Sequence, residues 1–234
     1  MSLIINKYNY KKLDRAENAA GARRYLTPDG RAVASVTTIL SETADKSHLV
    51  EWRNRIGHKK AQEITTEAAG VGTRMHKYLE DLFLKGHLSE AGSNPYAQQA
   101  RKMADVICKH ALSDVEEVWG SEVTLYVPGI YAGTADLAGV YKGHPAIFDF
   151  KQSNRLKKGE WVEDYMLQLT AYIIAHNEIH STDIQQGHIF LCTRDLEYQQ
   201  FNVTPEADPY FGRTFKDWTR LWWGRVYQYY EKIS

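Results

Sequence analysis

Residues 131–153 read YAGTADLAGVYKGHPAIFDFKQS, and this stretch decides the fold. Two runs rich in strand-forming residues, Tyr131 to Tyr141 and Ala146 to Lys151, flank Lys142-Gly143. Runs of this kind around a Gly-containing pair predict two strands joined by a tight hairpin turn. Side chains alternate along a strand. Asp149 and Lys151 therefore share one face, and Phe148 and Phe150 share the other. The Phe face packs. Charges on a strand entered through Ala146, Ile147 and Phe148 need partners, because burying an unpaired charge is costly.

Counting outward from a two-residue turn at Lys142-Gly143 sets Asp136 opposite Asp149. Opposed residues on a ladder have Cβ atoms roughly 4.5–5.5 Å apart, and two like charges there repel. A divalent cation between them turns repulsion into binding. Mg²⁺ suits such a pair, since it takes carboxylate oxygens, keeps several waters and completes its shell with phosphate. Lys151 would then stand beside the ion, able to orient water or stabilise charge developing on phosphorus. An isolated Asp-x-Lys tripeptide is in most cases a structural ion pair, and it is the hairpin partner and the surrounding residues that shift the reading toward a site.

Further along, Gln168 and Tyr172 stand four residues apart and share a helical face. Upstream, Gly72-Thr-Arg-Met-His76 lies in a helical pattern with Glu80 one turn beyond His76. A lone helical His is a structural group or a ligand. Glu122, on the strand before the hairpin, either faces solvent or adds a further acid.

The remaining pattern organises the chain. Arg24 to Thr27 and Arg31 to Ala34 around Pro28-Asp29-Gly30 predict a small hairpin, and Ser35 or Thr37 caps a short helix ending near Leu40. A helix is expected from Ser47 to about Ala69, interrupted by Gly70-Val-Gly72. A second is expected from Thr73 or Arg74 to Leu84, ended by Gly86. A third begins at Pro95 and runs to about Leu112. Beyond Ser113 the expected order is three strands (Glu116 to Val127, then the central hairpin), a helix from Trp161 to about Ile179, strands Gln186–Thr193 and Glu197–Val203, and a helix from Asp208 to Ile233. This is an α/β protein. Residues 1–112 form an N-terminal hairpin and helical region, residues 113–234 form the core, and the two make one compact unit.

Lys plus Arg and Asp plus Glu both number 29, so the chain is neutral overall. Nucleic-acid binding must then rest on local positive charge. Two cysteines, Cys108 and Cys192, exclude a zinc knuckle, a four-cysteine cluster and a disulfide framework. No apolar stretch approaches the about 18 residues of a membrane span. The start lacks a signal-peptide layout. An intracellular, reducing setting, the cytoplasm, is expected.

Taken in order, His76, Gly133 to Asp136, Asp149 to Lys151, and Gln168 to Tyr172 resemble the motif series of the PD-(D/E)xK nucleases. The match is to the RecB-like branch of stand-alone exonucleases, which includes phage and mitochondrial genome-maintenance enzymes. The resemblance spans roughly residues 70–205. The name-giving Pro-Asp is Ala135-Asp136 here, and the iron–sulfur cysteines of some relatives are absent. The resemblance implies a restriction-endonuclease-like core: a central mixed sheet flanked by helices, with a helical elaboration in front. It implies metal ligation by Asp136, Asp149 and the Phe150 carbonyl, with His76 as a further ligand or close neighbour. It implies catalysis through His76, Asp136, Asp149 and Lys151 with Mg²⁺, Mn²⁺ substituting. Gln168 and Tyr172 would support the site or touch DNA.

Arg155, Lys157 and Lys158 follow the Lys151 strand directly and can hold phosphates. Arg74, Lys77 and the group Arg53, Arg55, Lys59 and Lys60 add charge on the helical side. The spacing of Phe211, Phe215, Trp218, Trp222 and Val226 marks a buried face. Tyr8, Tyr10 and Tyr25, among polar neighbours, are better placed to stack on bases. The function these readings imply is exonucleolytic hydrolysis of DNA, from single-stranded or otherwise free ends, in replication, recombination or repair. Replication or recombination proteins would be partners and the host of a phage a natural setting. An endonuclease on the same fold and a catalytically silent DNA- or partner-binding protein are the rivals.

Overall fold

The computed structural model describes residues 1–17 and 23–233. Three short strands come first: β1 (Arg15–Glu17), β2 (Arg23–Leu26) and β3 (Ala32–Ser35). Four helices follow: α1 (Val36–Thr43), α2 (Ser47–Ile56), α3 (His58–Lys85) and α4 (Pro95–His110). Then come β4 (Val115–Val127), β5 (Tyr131–Tyr141), β6 (His144–Ser153), α5 (Glu163–His180), β7 (Gln186–Thr193), β8 (Tyr198–Val203) and α6 (Phe215–Ile233). The result is an α/β protein with a mixed eight-stranded open sheet and six helices. The pairs β3–β5 and β6–β7 are parallel, and the others are antiparallel. Through β3 the N-terminal hairpin joins the same sheet as the core strands.

The central hairpin has the register the sequence sets. Tyr141 pairs with His144 and Leu137 with Phe148. Lys142 (φ 50°) and Gly143 (φ 79°) are both left-handed, as a two-residue turn matching the strand twist requires.

Alternation along the strands divides the core in two. Ile147, Ile189 and Leu191 pack with α1, α5 and α6 on one face. Phe148, Phe150 and Phe190 pack with α3 and α4 on the other. Trp218, Trp222, Val226 and Tyr229 of α6 are buried, so the aromatic stripe is core.

Several expectations are corrected. Gly70 and Gly72 do not interrupt a helix; α3 runs straight through them. The break falls at Gly57, whose φ of 87° lies outside the helical region. Gly72 serves packing instead: a Cβ there would stand 3.1 Å from Gln152 Cγ, at the end of β6. Helix α6 begins at Phe215 rather than Asp208, because Asp208 ties down the preceding loop. Its carboxylate accepts from the backbone of Tyr210, Phe211 and Arg213 and from the Trp218 indole. Leu49, Trp52 and Ile56 recur at helical spacing, yet no residue of α2 is buried. Tyr25 is buried. Tyr8 and Tyr10 pack on His176 and His180, and the Tyr10 hydroxyl bonds His176 Nε2 at 2.9 Å. None of the three is a free stacking surface. Among the described residues, no helix is long and apolar enough to cross a membrane.

Candidate metal centre

Strand β5 pairs with β4 along its whole length on one edge. Its other edge is divided. Tyr131 and Ala132 register with the end of β3, and Leu137 to Tyr141 with β6. Between these two pairings the sheet forks, and residues 133–136 line the opening. The Asp136 carboxylate fills part of it, as Phe150 N–H donates to Asp136 Oδ2 at 2.6 Å. From α5 the Tyr172 ring presses against Gly133, where a Cβ would lie 2.6 Å from the ring. Only glycine admits so close an approach.

Groups from both faces of the sheet meet at this fork. From α3, His76 Nδ1 stands 3.2 Å from Asp136 Oδ1. From β4, Glu122 brings a carboxylate oxygen close; one donor atom each from His76, Glu122 and Asp136 all lie within 4.8 Å of one another. From β6, Asp149 and Lys151 form an ion pair. Lys151 Nζ also donates to Gln168 Oε1 at 3.1 Å, and Gln168 Nε2 donates to the Tyr172 hydroxyl at 3.0 Å. The Tyr165 ring, also on α5, lies with its centroid 5.1 Å from Lys151 Nζ.

Burial and the crowding of charges together perturb His76, Glu122, Asp136, Asp149 and Lys151. Burial and then the neighbouring Asp136 push the Glu122 carboxyl up to about 7. Burial, partly countered by Lys151, pushes Asp149 up to about 6. Burial works against the Asp136 anion too, but the charge and hydrogen bond of His76 overcome it and hold Asp136 below its ordinary value. For His76, burial opposes the imidazolium, yet the Asp136 charge prevails and lifts it to about 9. Lys151 likewise stays cationic: burial is outweighed by Asp149 and Asp136, and its value is raised.

The residues fit a divalent cation. One imidazole nitrogen and carboxylate oxygens from two strands converge, with a third carboxylate adjacent. Asp149 Oδ2 is fully buried and, although ion-paired to Lys151, accepts no well-directed hydrogen bond. Carboxylates suit Mg²⁺ and Mn²⁺, and the imidazole extends the choice toward later transition metals. An ion taking His76 as ligand must displace the imidazole proton, so its affinity rises with pH.

The fork brings together His76, Asp136, Asp149, Lys151, Gln168 and Tyr172. It also recruits Glu122, which the sequence left between solvent and site. A signal existed: counting back from Val127 opposite Tyr131 sets Glu122 across from Asp136. Tyr165 was missed, although it precedes Gln168 by three residues on the same helix. Phe150 engages Asp136 through its backbone N–H, while its ring packs between Phe83 and Phe190. Arg74 donates to the Gly70 carbonyl of its own helix at 2.9 Å. Arg155 and Lys158 are exposed. Half-buried Lys157 exchanges two backbone hydrogen bonds with the Gln199 side chain.

No protein-family model matches the chain, and no curated protein matches it. Among solved structures, one described as the crystal structure of SSO0001 is a distant structural match, with a TM-score of 0.36. It is 14% identical in sequence, over 76% of this chain and 69% of that one.

Proposed function

We propose that this chain is a divalent-metal-dependent deoxyribonuclease of the PD-(D/E)xK type, RecB-like branch, acting on single-stranded DNA ends. One observation carries the reading. At a single fork in the sheet His76, Asp136, Asp149 and Lys151 converge, in the order along the chain that this nuclease series has, and Glu122 joins them from outside that series. A purely structural ion pair between Asp149 and Lys151 would not require His76, Glu122 and Asp136 to gather beside it, where each added acid costs repulsion.

Bound Mg²⁺ or Mn²⁺ would supply Lewis-acid polarisation of a phosphodiester and acidify a water. His76, Glu122 and Asp136 would hold the ion, with Asp149 beside them. Asp149 and Asp136 outweigh burial and favour the Lys151 ammonium. That ammonium orients a nucleophile or stabilises charge on a phosphoryl oxygen. Gln168 fixes that ammonium and is itself fixed by the Tyr172 hydroxyl, so α5 sets the position of the cation.

The test is digestion of end-labelled single- and double-stranded DNA with Mg²⁺, with and without chelator, for the parent and Lys151→Ala. Chelator-sensitive loss of label from single strands is expected, with none from Lys151→Ala. A circular single strand should resist. Its cleavage would replace the exonuclease with an endonuclease, and no chelator-sensitive cleavage of any substrate would overturn the reading.

A further inference from the structure

The loop between β6 and α5 leaves the sheet two residues after Lys151 and re-enters helix two residues before Tyr165. It therefore borders the fork at both ends. Two large aromatic side chains stand out of the surface here. Trp161 is 51% exposed and Tyr210 is 48% exposed; Tyr96, Trp223 and Tyr227 are exposed too, but on other elements. They are tied to the loop. Lys158 Nζ lies 5.3 Å from the Trp161 ring centroid. Gly159 packs so tightly on Tyr210 that a Cβ would stand 2.6 Å from the Tyr210 Cβ.

The charge of this patch is as distinctive as its apolarity. Arg155, Lys157 and Lys158 form no ion pair among the described residues. The neighbouring acids Glu163 and Asp164 are already paired, with Arg213 and Arg225. Within the loop itself, residues 154–162, Glu160 is the one acid, and beside Tyr210 the Asp208 carboxylate is held by backbone N–H groups. Half-exposed rings, Tyr210 backed by Phe201 and Trp161 flanked by Lys158, beside cations without ion pairs match a strand of alternating flat bases and anionic phosphates. A duplex offers phosphates but keeps its base faces stacked inside. A protein partner of ordinary composition would satisfy the rings and leave the cations.

We infer that Trp161 and Tyr210 form a stacking platform for the bases of single-stranded DNA, with Arg155 and Lys158 on its phosphates, leading the strand to the fork. The inference rests on the nuclease reading for the choice of DNA. It predicts binding that survives removal of metal, so the two can fail separately.

The experiment measures binding of a fluorescein-labelled oligodeoxynucleotide of about 12 residues, as a single strand and as a duplex, in chelator at fixed salt. Variants are Trp161→Ala, Tyr210→Ala and Trp161→Phe. Stacking is worth ~1–3 kcal/mol per base. Each alanine should therefore weaken single-strand binding about 5- to 150-fold, leave duplex binding unchanged, and be rescued at position 161 by Phe. Three results would overturn the platform: alanine variants that bind as the parent does, equal losses on single strand and duplex, or a parent that ignores single strands. Tighter binding of the RNA strand of the same sequence would overturn the DNA assignment. Dimerisation that is lost in Trp161→Ala, without oligonucleotide binding, would assign the patch to a second copy.

Discussion

Replacing Glu122 with Gln should stabilise the protein when no metal is bound and weaken its response when metal is added. Glu122 is raised from 4.5 to about 7, by burial first and then by Asp136. A carboxyl raised on folding makes the charged form costly. The cost is absent below about pH 4.5, grows through the folded value, and is complete above about pH 7. Each pH unit is worth ~1.4 kcal/mol, which sets a ceiling of about 3 kcal/mol. Glu122 is only half-buried, and water screens it, so about 1–2 kcal/mol is the working figure. Urea unfolding in chelator at pH 8 should therefore find Glu122→Gln more stable than the parent by that amount, with the gap closing near pH 4.5. Adding Mg²⁺ or Mn²⁺ at about a hundredfold excess over its Kd should raise the parent by ~2.7 kcal/mol, and Glu122→Gln by less. A variant that is less stable at pH 8 in chelator would show that Glu122 is held by favourable contacts, not by repulsion. Equal metal stabilisation of both proteins would remove Glu122 from the ligand set.

Gly133→Ala should displace the Tyr172 ring, and with it Gln168 and Lys151. A stability loss of ~1–3 kcal/mol is expected, with cleavage falling more than the melting shift explains; unchanged activity would separate Tyr172 from the site. Gly57→Ala, at φ 87°, should cost about 1 kcal/mol or more. Gly70→Ala, inside α3 with only the end of the Arg74 side chain nearby, should be neutral or stabilise by up to ~1 kcal/mol; the opposite order in thermal melts would restore a helix break at Gly70. Burial holds His188 near 4 and His176 near 3. Both stay neutral in the fold while the unfolded chain takes up protons below about 6.5, so each contributes stability that is lost as pH falls from there toward 4. Their imidazole NMR signals should not move between pH 8 and about pH 5, and a midpoint near 6.5 for either would refute its burial.

The sequence alone determined the central hairpin. Alternation assigned Asp149 and Lys151 to one face and the two Phe side chains to the other. The Lys142-Gly143 turn then fixed the register, because a two-residue loop leaves the strands no freedom to slip. Local helix-end signals at Ser35, Pro95 and Gly86 were legible for the same reason: they act within a few residues. What the sequence could not decide depended on distant neighbours. Whether Gly70 and Gly72 break a helix or admit Gln152 is settled by β6, some eighty residues away. Whether Tyr8 and Tyr10 face solvent is settled by His176 and His180. Above all, the fork arises because β5 shares one edge between β3 and β6, and a chain read one residue at a time does not show which strands compete for an edge. That competition opens the sheet beside Asp136. Through the opening α3 delivers His76, β4 delivers Glu122, and α5 positions Lys151. The acidic pair was written in the local pattern; the centre that surrounds it was made by tertiary structure.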